Sequence, residues 1–140
     1  MADKKIMIDS TILIDYFRKS DKTKSKLVIL SMKFDKLYIS TVTEFEIING
    51  ATTDQLDFWN QMLNGFTILD FDSRAARYAA KIVQLIKVKR KSIDKPDLFI
   101  AATAVTHGLT LATANRKHFE NIDTLDLLPE LTSPLKTDPL

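Results

Sequence analysis

Lys5-Ile6-Met7-Ile8-Asp9-Ser10-Thr11-Ile12-Leu13-Ile14-Asp15-Tyr16-Phe17 is the run that decides the fold. It opens with a short apolar stretch at strand length, Lys5–Ile8. Asp9-Ser10-Thr11 then offers side-chain oxygens suited to capping the next helix, whose apolar face carries Ile12, Leu13, Tyr16 and Phe17. A strand passing through an acidic cap into a helix is the start of a βα unit. The pattern recurs. Leu37–Ile39 predicts a second strand, followed by a helix from Ser40 or Thr41 to Asn49, with Gly50 in the left-handed position after it. Phe66–Leu69 predicts a third, followed by a long amphipathic helix capped at Asp72 or Ser73 and ending in Lys87, Lys89, Arg90 and Lys91. Asp97–His107 predicts an alanine-rich helix closed by Gly108, and Thr110–Thr113 a fourth strand. Further helices are expected at Lys22–Phe34 and Thr52–Asn64, and a fifth strand at Leu125–Leu128. Strands alternating with helices imply an α/β fold with a central parallel sheet of four or five short strands and helices on both faces.

Composition sets the outer limits. The chain has 140 residues, 45% hydrophobic and 27% charged, with a formal net charge of +2. One domain is expected over 1–128, and a Pro-containing tail that frays over 129–140. Charge balance alone does not announce nucleic-acid binding. Without cysteine, disulfide frameworks, thiolate metal sites and cysteine nucleophiles are excluded. With two histidines, a multi-histidine metal site within one chain is excluded. No stretch approaches the roughly 20 apolar residues of a membrane span, so no membrane association is expected and the cytoplasm is the default location.

In a parallel sheet, sites form beyond the carboxyl ends of the strands. Asp9 stands at the end of the first strand, Glu46 in the helix after the second, and Asp97 at the opening of the helix before the fourth. Convergent carboxylates repel, and at neutral pH they share protons or hold a cation. An all-oxygen site suits Mg²⁺ or Mn²⁺ and leaves positions for water and a phosphate oxygen, which points to metal-assisted phosphodiester hydrolysis. Taken singly, each residue also has a plain reading. Asp9 and Asp97 fit helix caps, and Glu46 fits a solvated helix face.

Four blocks resemble the PIN-domain family in its own order: Ile8–Asp15; Ile39-Ser40-Thr41-Val42-Thr43-Glu44-Phe45-Glu46-Ile47-Ile48-Asn49-Gly50; Asp97–Ala104; and Leu109-Thr110-Leu111-Ala112-Thr113-Ala114-Asn115 through Phe119. Registration of the second block selects Glu46 over Glu44. Length and the Thr43 to Gly50 block look most like VapC-type toxins of toxin–antitoxin pairs. That resemblance implies a three-layer α/β/α fold and a Mg²⁺-dependent endoribonuclease that acts on RNA through metal-activated water. It also implies a cognate antitoxin partner and a homodimer. Asp9, Asp97 and Glu46 become the expected catalytic and metal-binding residues, with Thr113 and Asn115 in support.

The fourth block departs from the family, since neither Asn115 nor His118 is acidic. Asn115 still offers a carbonyl oxygen, or else serves as a turn residue; His118 is expected on the surface. The departure motivates the alternative of a catalytically inactive PIN domain that binds RNA or protein. Asp15 is read as a salt-bridging carboxylate, Asp94 as a loop charge, and Phe58 and Trp59 as core or interface. Of the two basic clusters, Arg18 to Lys26 reads as a solvated face. Lys89, Arg90 and Lys91 lead toward Asp97 and are the candidates for RNA phosphates.

Overall fold

The computed structural model describes residues 3–130. Strand β1 (Lys5–Ile8) leads to helix α1 (Ser10–Arg18), and α2 (Lys26–Lys33) follows. Strand β2 (Lys36–Ser40) runs into α3 (Thr41–Gly50), then α4 (Leu56–Leu63) and β3 (Thr67–Leu69). The chain closes with α5 (Ser73–Val88), α6 (Lys95–Thr106) and β4 (Leu111–Ala112). The sheet order is β3-β2-β1-β4, with every pairing parallel.

Ile6, Met7 and Ile8 are fully buried, as a parallel strand covered on both faces requires. Their side chains alternate between two cores. Met7 packs with Ile82, Ile86, Ile100 and Phe119, while Ile6 and Ile8 pack with Ile12, Leu30, Ile39 and Trp59. This is the three-layer α/β/α arrangement. Among the described residues no helix is long and apolar enough to cross a membrane.

Several boundaries differ from the sequence expectations, each for a local reason. The helix expected over Lys22–Phe34 is a 3-10 turn at Lys22–Lys24 followed by α2. Ser25 breaks it by accepting from the Val28 amide through its hydroxyl, as serine does at a helix start. The helix expected over Thr52–Asn64 divides likewise. Thr52 and Gln55 form a capping box around a 3-10 turn before α4 begins. Gly50 is the last residue of α3, without the left-handed backbone expected of it, and extended Ala51 leads the chain out instead. Gly108 does hold the left-handed position, with φ 64°. The fifth strand reduces to one bridge between Leu111 and Leu127. Pro129 follows, with no amide hydrogen to extend the ladder. Residues 131–140 of the expected tail lie outside the described residues.

The start of α6 matters most for the site. It begins at Lys95, with Pro96 in the first turn where its missing N–H is not needed. Asp94, read from sequence as a loop charge, occupies the cap position. Asp97 therefore lies inside the first helical turn rather than capping it.

Candidate active site

Asp9 is fixed from two strands. Its amide donates to the Ala112 carbonyl at 3.2 Å, continuing the β1–β4 pairing. Its Oδ1 caps α1, accepting from the Thr11 amide at 3.1 Å and the Thr11 hydroxyl at 2.5 Å. Its Oδ2 accepts from the Thr113 hydroxyl at 2.5 Å. The Ala114 amide donates to the Thr11 hydroxyl and the Asn115 amide to the Thr113 hydroxyl, both at 2.9 Å, which locks the two threonines in place. Asp9 therefore caps α1 through one oxygen while the other meets Thr113 at the end of β4. The residue is 3% exposed. Burial pushes its carboxyl up to about 6, outweighing the threonine hydroxyls and backbone amides that favour the anion.

Glu46 reaches the same edge from α3. Its Oε1 accepts from the Ser10 hydroxyl at 3.1 Å, one residue beyond Asp9. Partial burial raises its carboxyl above the ordinary range; the Ser10 bond opposes this and the negative charge of Asp97 adds to it. Glu44 instead joins Phe45 and Asn49 along another surface of α3. Asp97 is raised by burial first. His118 works against that shift through charge and a hydrogen bond, and Asp94 adds to it. The His118 Nδ1 stands 3.0 Å from Asp97 Oδ2.

The three carboxylates are thus linked in sequence. Ser10 ties Asp9's neighbourhood to Glu46, Glu46 feels Asp97, and Asp97 meets His118 in the turn that follows Thr113 and Asn115. Thr113, expected as the last residue of the fourth strand, lies just beyond β4, which is Leu111–Ala112, and meets Asp9. The Asn115 side chain is exposed and caps nothing. Asp15 lies apart, accepting from the Lys26 amide at 2.9 Å and pairing with Lys19 and Lys26 at 3.8 Å.

Sequence reasoning missed two participants. Ser10 carried the signal of a hydroxyl adjoining the key aspartate. His118, expected on the surface, is half-exposed but engages Asp97. Its signal was its place three residues after Asn115 in the fourth block. Of the basic candidates, Arg90 and Lys91 are exposed. Lys89 already has partners, donating to Asp123 Oδ1 at 2.6 Å and the Asn121 carbonyl at 2.9 Å. In the other cluster, the Lys22 ammonium donates to the carbonyls of Tyr16, Phe17 and Lys19, satisfying the end of α1.

The donor set is hard oxygen, dominated by carboxylates that burial leaves short of compensating positive charge. Neither Asp9 nor Glu46 has an ion-pair partner among the described residues. No group of three His, Asp or Glu among them is arranged to enclose a metal ion. The donors fit a hard divalent cation that keeps several waters and takes one or two carboxylates directly, as Mg²⁺ ordinarily does.

Residues 6–125 match the PIN-domain family. The chain is 33% identical over 124 residues to ribonuclease VapC1 of Methanocaldococcus jannaschii, an alignment covering 86% of this chain and 82% of that one. The fold resembles the DNA-bound VapBC complex of Salmonella typhimurium, with TM-score 0.79, 23% identity and coverage of 89% and 97%. A toxin–antitoxin complex from Klebsiella pneumoniae is similar at TM-score 0.70 and 28% identity, with coverage of 89% and 96%.

Proposed function

The chain belongs to the PIN-domain family, and from that premise we propose that it is an endoribonuclease toxin of the VapC type. Its chemistry is carried by Asp9, Glu46 and Asp97. One observation bears most of the weight. A carboxylate buried to 3% exposure, with a pKa lifted to about 6 and no ion-pair partner among the described residues, sits at the carboxyl end of β1, one of the two inner strands. Burying such a group is costly unless something positive compensates it, and strongly perturbed acids in such places are candidate functional groups.

Asp9 and Asp97 would hold Mg²⁺, or Mn²⁺ in its place, with Glu46 contacting it directly or through water. Thr113 holds Asp9 through Oδ2, and Asn115 would offer a neutral oxygen. When bound, the cation would polarise the scissile phosphate and acidify the attacking water. The chain's own residues do the rest. Thr11 and Thr113 hold both oxygens of Asp9 in one orientation. Ser10 engages Glu46 Oε1, leaving Oε2 to accept the proton of the incoming water, a task suited to a carboxylate of raised pKa. His118 orients Asp97 through Oδ2. No side chain acts as a covalent nucleophile.

The similarity to solved toxin–antitoxin complexes supports an antitoxin partner. The substrate is RNA, with Arg90 and Lys91 as phosphate contacts and Lys89 as a weaker candidate. A homodimer is supported by Phe45, which is 64% exposed and lies beside Val42, Pro96 and Phe99. Exposed apolar surface of this kind marks interaction sites.

The test is induced expression of wild type beside Asp9→Asn, following growth and total RNA. Growth arrest with discrete RNA fragments from wild type alone supports the toxin-nuclease reading. No arrest from either, or equal arrest from both, returns the chain to the alternative of a binding module without catalysis.

A further inference from the structure

Glu46 belongs to two places at once. Besides meeting Ser10, it lines a pocket of about 390 Å³ between α1, α3 and α4. Much of the lining is apolar: Ile14 and Phe17 from α1, Ile47 from α3 and Trp59 from α4. Trp59 is 4% exposed. Its ring packs against Phe17 and Phe58, with centroids 5.2 and 5.1 Å away. The polar lining is mostly hydrogen-bond donors. Arg18 lines the pocket and has neither a hydrogen bond nor an ion pair among the described residues, leaving its fork of N–H groups available. Gln55 spends its Oε1 on the Thr52 amide at 3.0 Å, which leaves its amide NH₂ as the free end.

Apolar walls want a flat, weakly solvated face, and the donors want acceptors on its edge. A phosphate alone does not need the walls, and an aliphatic side chain does not need the donors. Bases of single-stranded RNA supply both, since proteins read them by stacking and edge hydrogen bonds. Arginine pairs best with the O6 and N7 acceptors of guanine. Because Glu46 is shared, an RNA strand with its phosphate at the carboxylates has a neighbouring base within reach of this pocket. We propose that the pocket is a nucleobase subsite that receives the base next to the scissile phosphate, guanine by preference, with Arg18 and Gln55 donating to its edge. This assignment rests on the ribonuclease reading.

Trp59 is the only tryptophan in the chain, so its indole reports the pocket without interference. Asp9→Asn protein is titrated with short oligouridylates carrying one guanine or one adenine at the same position, following Trp59 emission and the indole N–H resonance. The expected result is a Trp59 response to the guanine oligonucleotide and binding about tenfold tighter than for adenine. Arg18→Gln, and independently Gln55→Glu, which keeps an acceptor for the Thr52 amide and removes only the NH₂ donor, should erase the preference while circular dichroism and melting stay those of the parent. Equal binding of both oligonucleotides with Trp59 silent overturns the assignment. So does an Arg18→Gln protein that keeps the RNA preference but loses its antitoxin, because the pocket is then a protein-docking surface. The two readings fail separately. Wild type that cleaves RNA without base preference sinks the subsite alone. Wild type that cleaves nothing, while the guanine response persists, sinks the nuclease and leaves the pocket as a base-binding site.

Discussion

The Thr113 hydroxyl donates to Asp9 Oδ2 at 2.5 Å, joining residues 104 positions apart in the chain at the ends of two paired strands. With Thr11 on the other oxygen, it leaves Asp9 a single orientation. Thr113→Val keeps the shape and removes the donor. Partners that orient a metal ligand are typically worth 10–100-fold in activity or metal affinity. Thr113→Val should lower RNA cleavage by about that factor and raise the Mg²⁺ concentration needed, whereas Thr113→Ser retains most activity. A metal titration of cleavage for the two variants checks this.

Asp9 also predicts a pH dependence of stability. Its folded pKa, about 6, lies above the ordinary 3.8, so the folded protein binds this proton more tightly than the unfolded chain does. The stability it contributes is whole below pH 3.8 and is lost as pH rises through about 6. The shift corresponds to about 3 kcal/mol. In EDTA at neutral pH, Asp9→Asn should therefore melt several degrees above wild type, and the gap should close by pH 4. Melting curves across that range measure it, and Mg²⁺ should narrow the gap at neutral pH by restoring wild type.

His118 lowers the Asp97 carboxyl pKa against the burial that raises it. Removing the imidazole raises that pKa further. In His118→Ala the acid limb of the cleavage profile should move to higher pH, with the loss of rate growing as pH falls. A pH–rate profile with unchanged melting separates this from a general loss of fold.

The basic turn makes a different prediction. Lys89 is tied to Asp123, and half-exposed pairs of this kind contribute under about 1 kcal/mol. Lys89→Ala should change RNA affinity and stability little. Arg90→Ala with Lys91→Ala should weaken RNA binding of every sequence alike and flatten its salt dependence, as loss of phosphate contacts does. Binding at several salt concentrations distinguishes the two.

The elements that were legible in the sequence are those governed by local rules. Ile6–Ile8, buried on both faces, and Asp72, whose carboxylate caps α5 through the Ala75 amide, state their roles within a few residues. What was illegible was either a boundary set by one capping residue or a contact between residues distant in sequence. Ser25 ends one helical run and starts another by capping the Val28 amide, and Asp15 of α1 takes the Lys26 amide. Asp97 reads as a cap until Pro96 is recognised as a first-turn residue. Asp9 and Glu46, by their place after strands, and Asp97, by its place before the fourth, were legible as candidates, as they were from the family's blocks. Ser10 and His118 were not, because a serine beside a cap and a histidine in a basic turn look ordinary until Glu46 and Asp97 are brought to meet them.

The most direct test of the central claim is cleavage of RNA by purified protein with EDTA and then with Mg²⁺ restored, for wild type, Asp9→Asn, Glu46→Gln and Asp97→Asn. Wild type should be silent in EDTA and active on adding Mg²⁺, and all three variants should stay folded while losing at least about a hundredfold in rate. Cleavage that persists in EDTA, or that survives in Asp9→Asn, would contradict that claim.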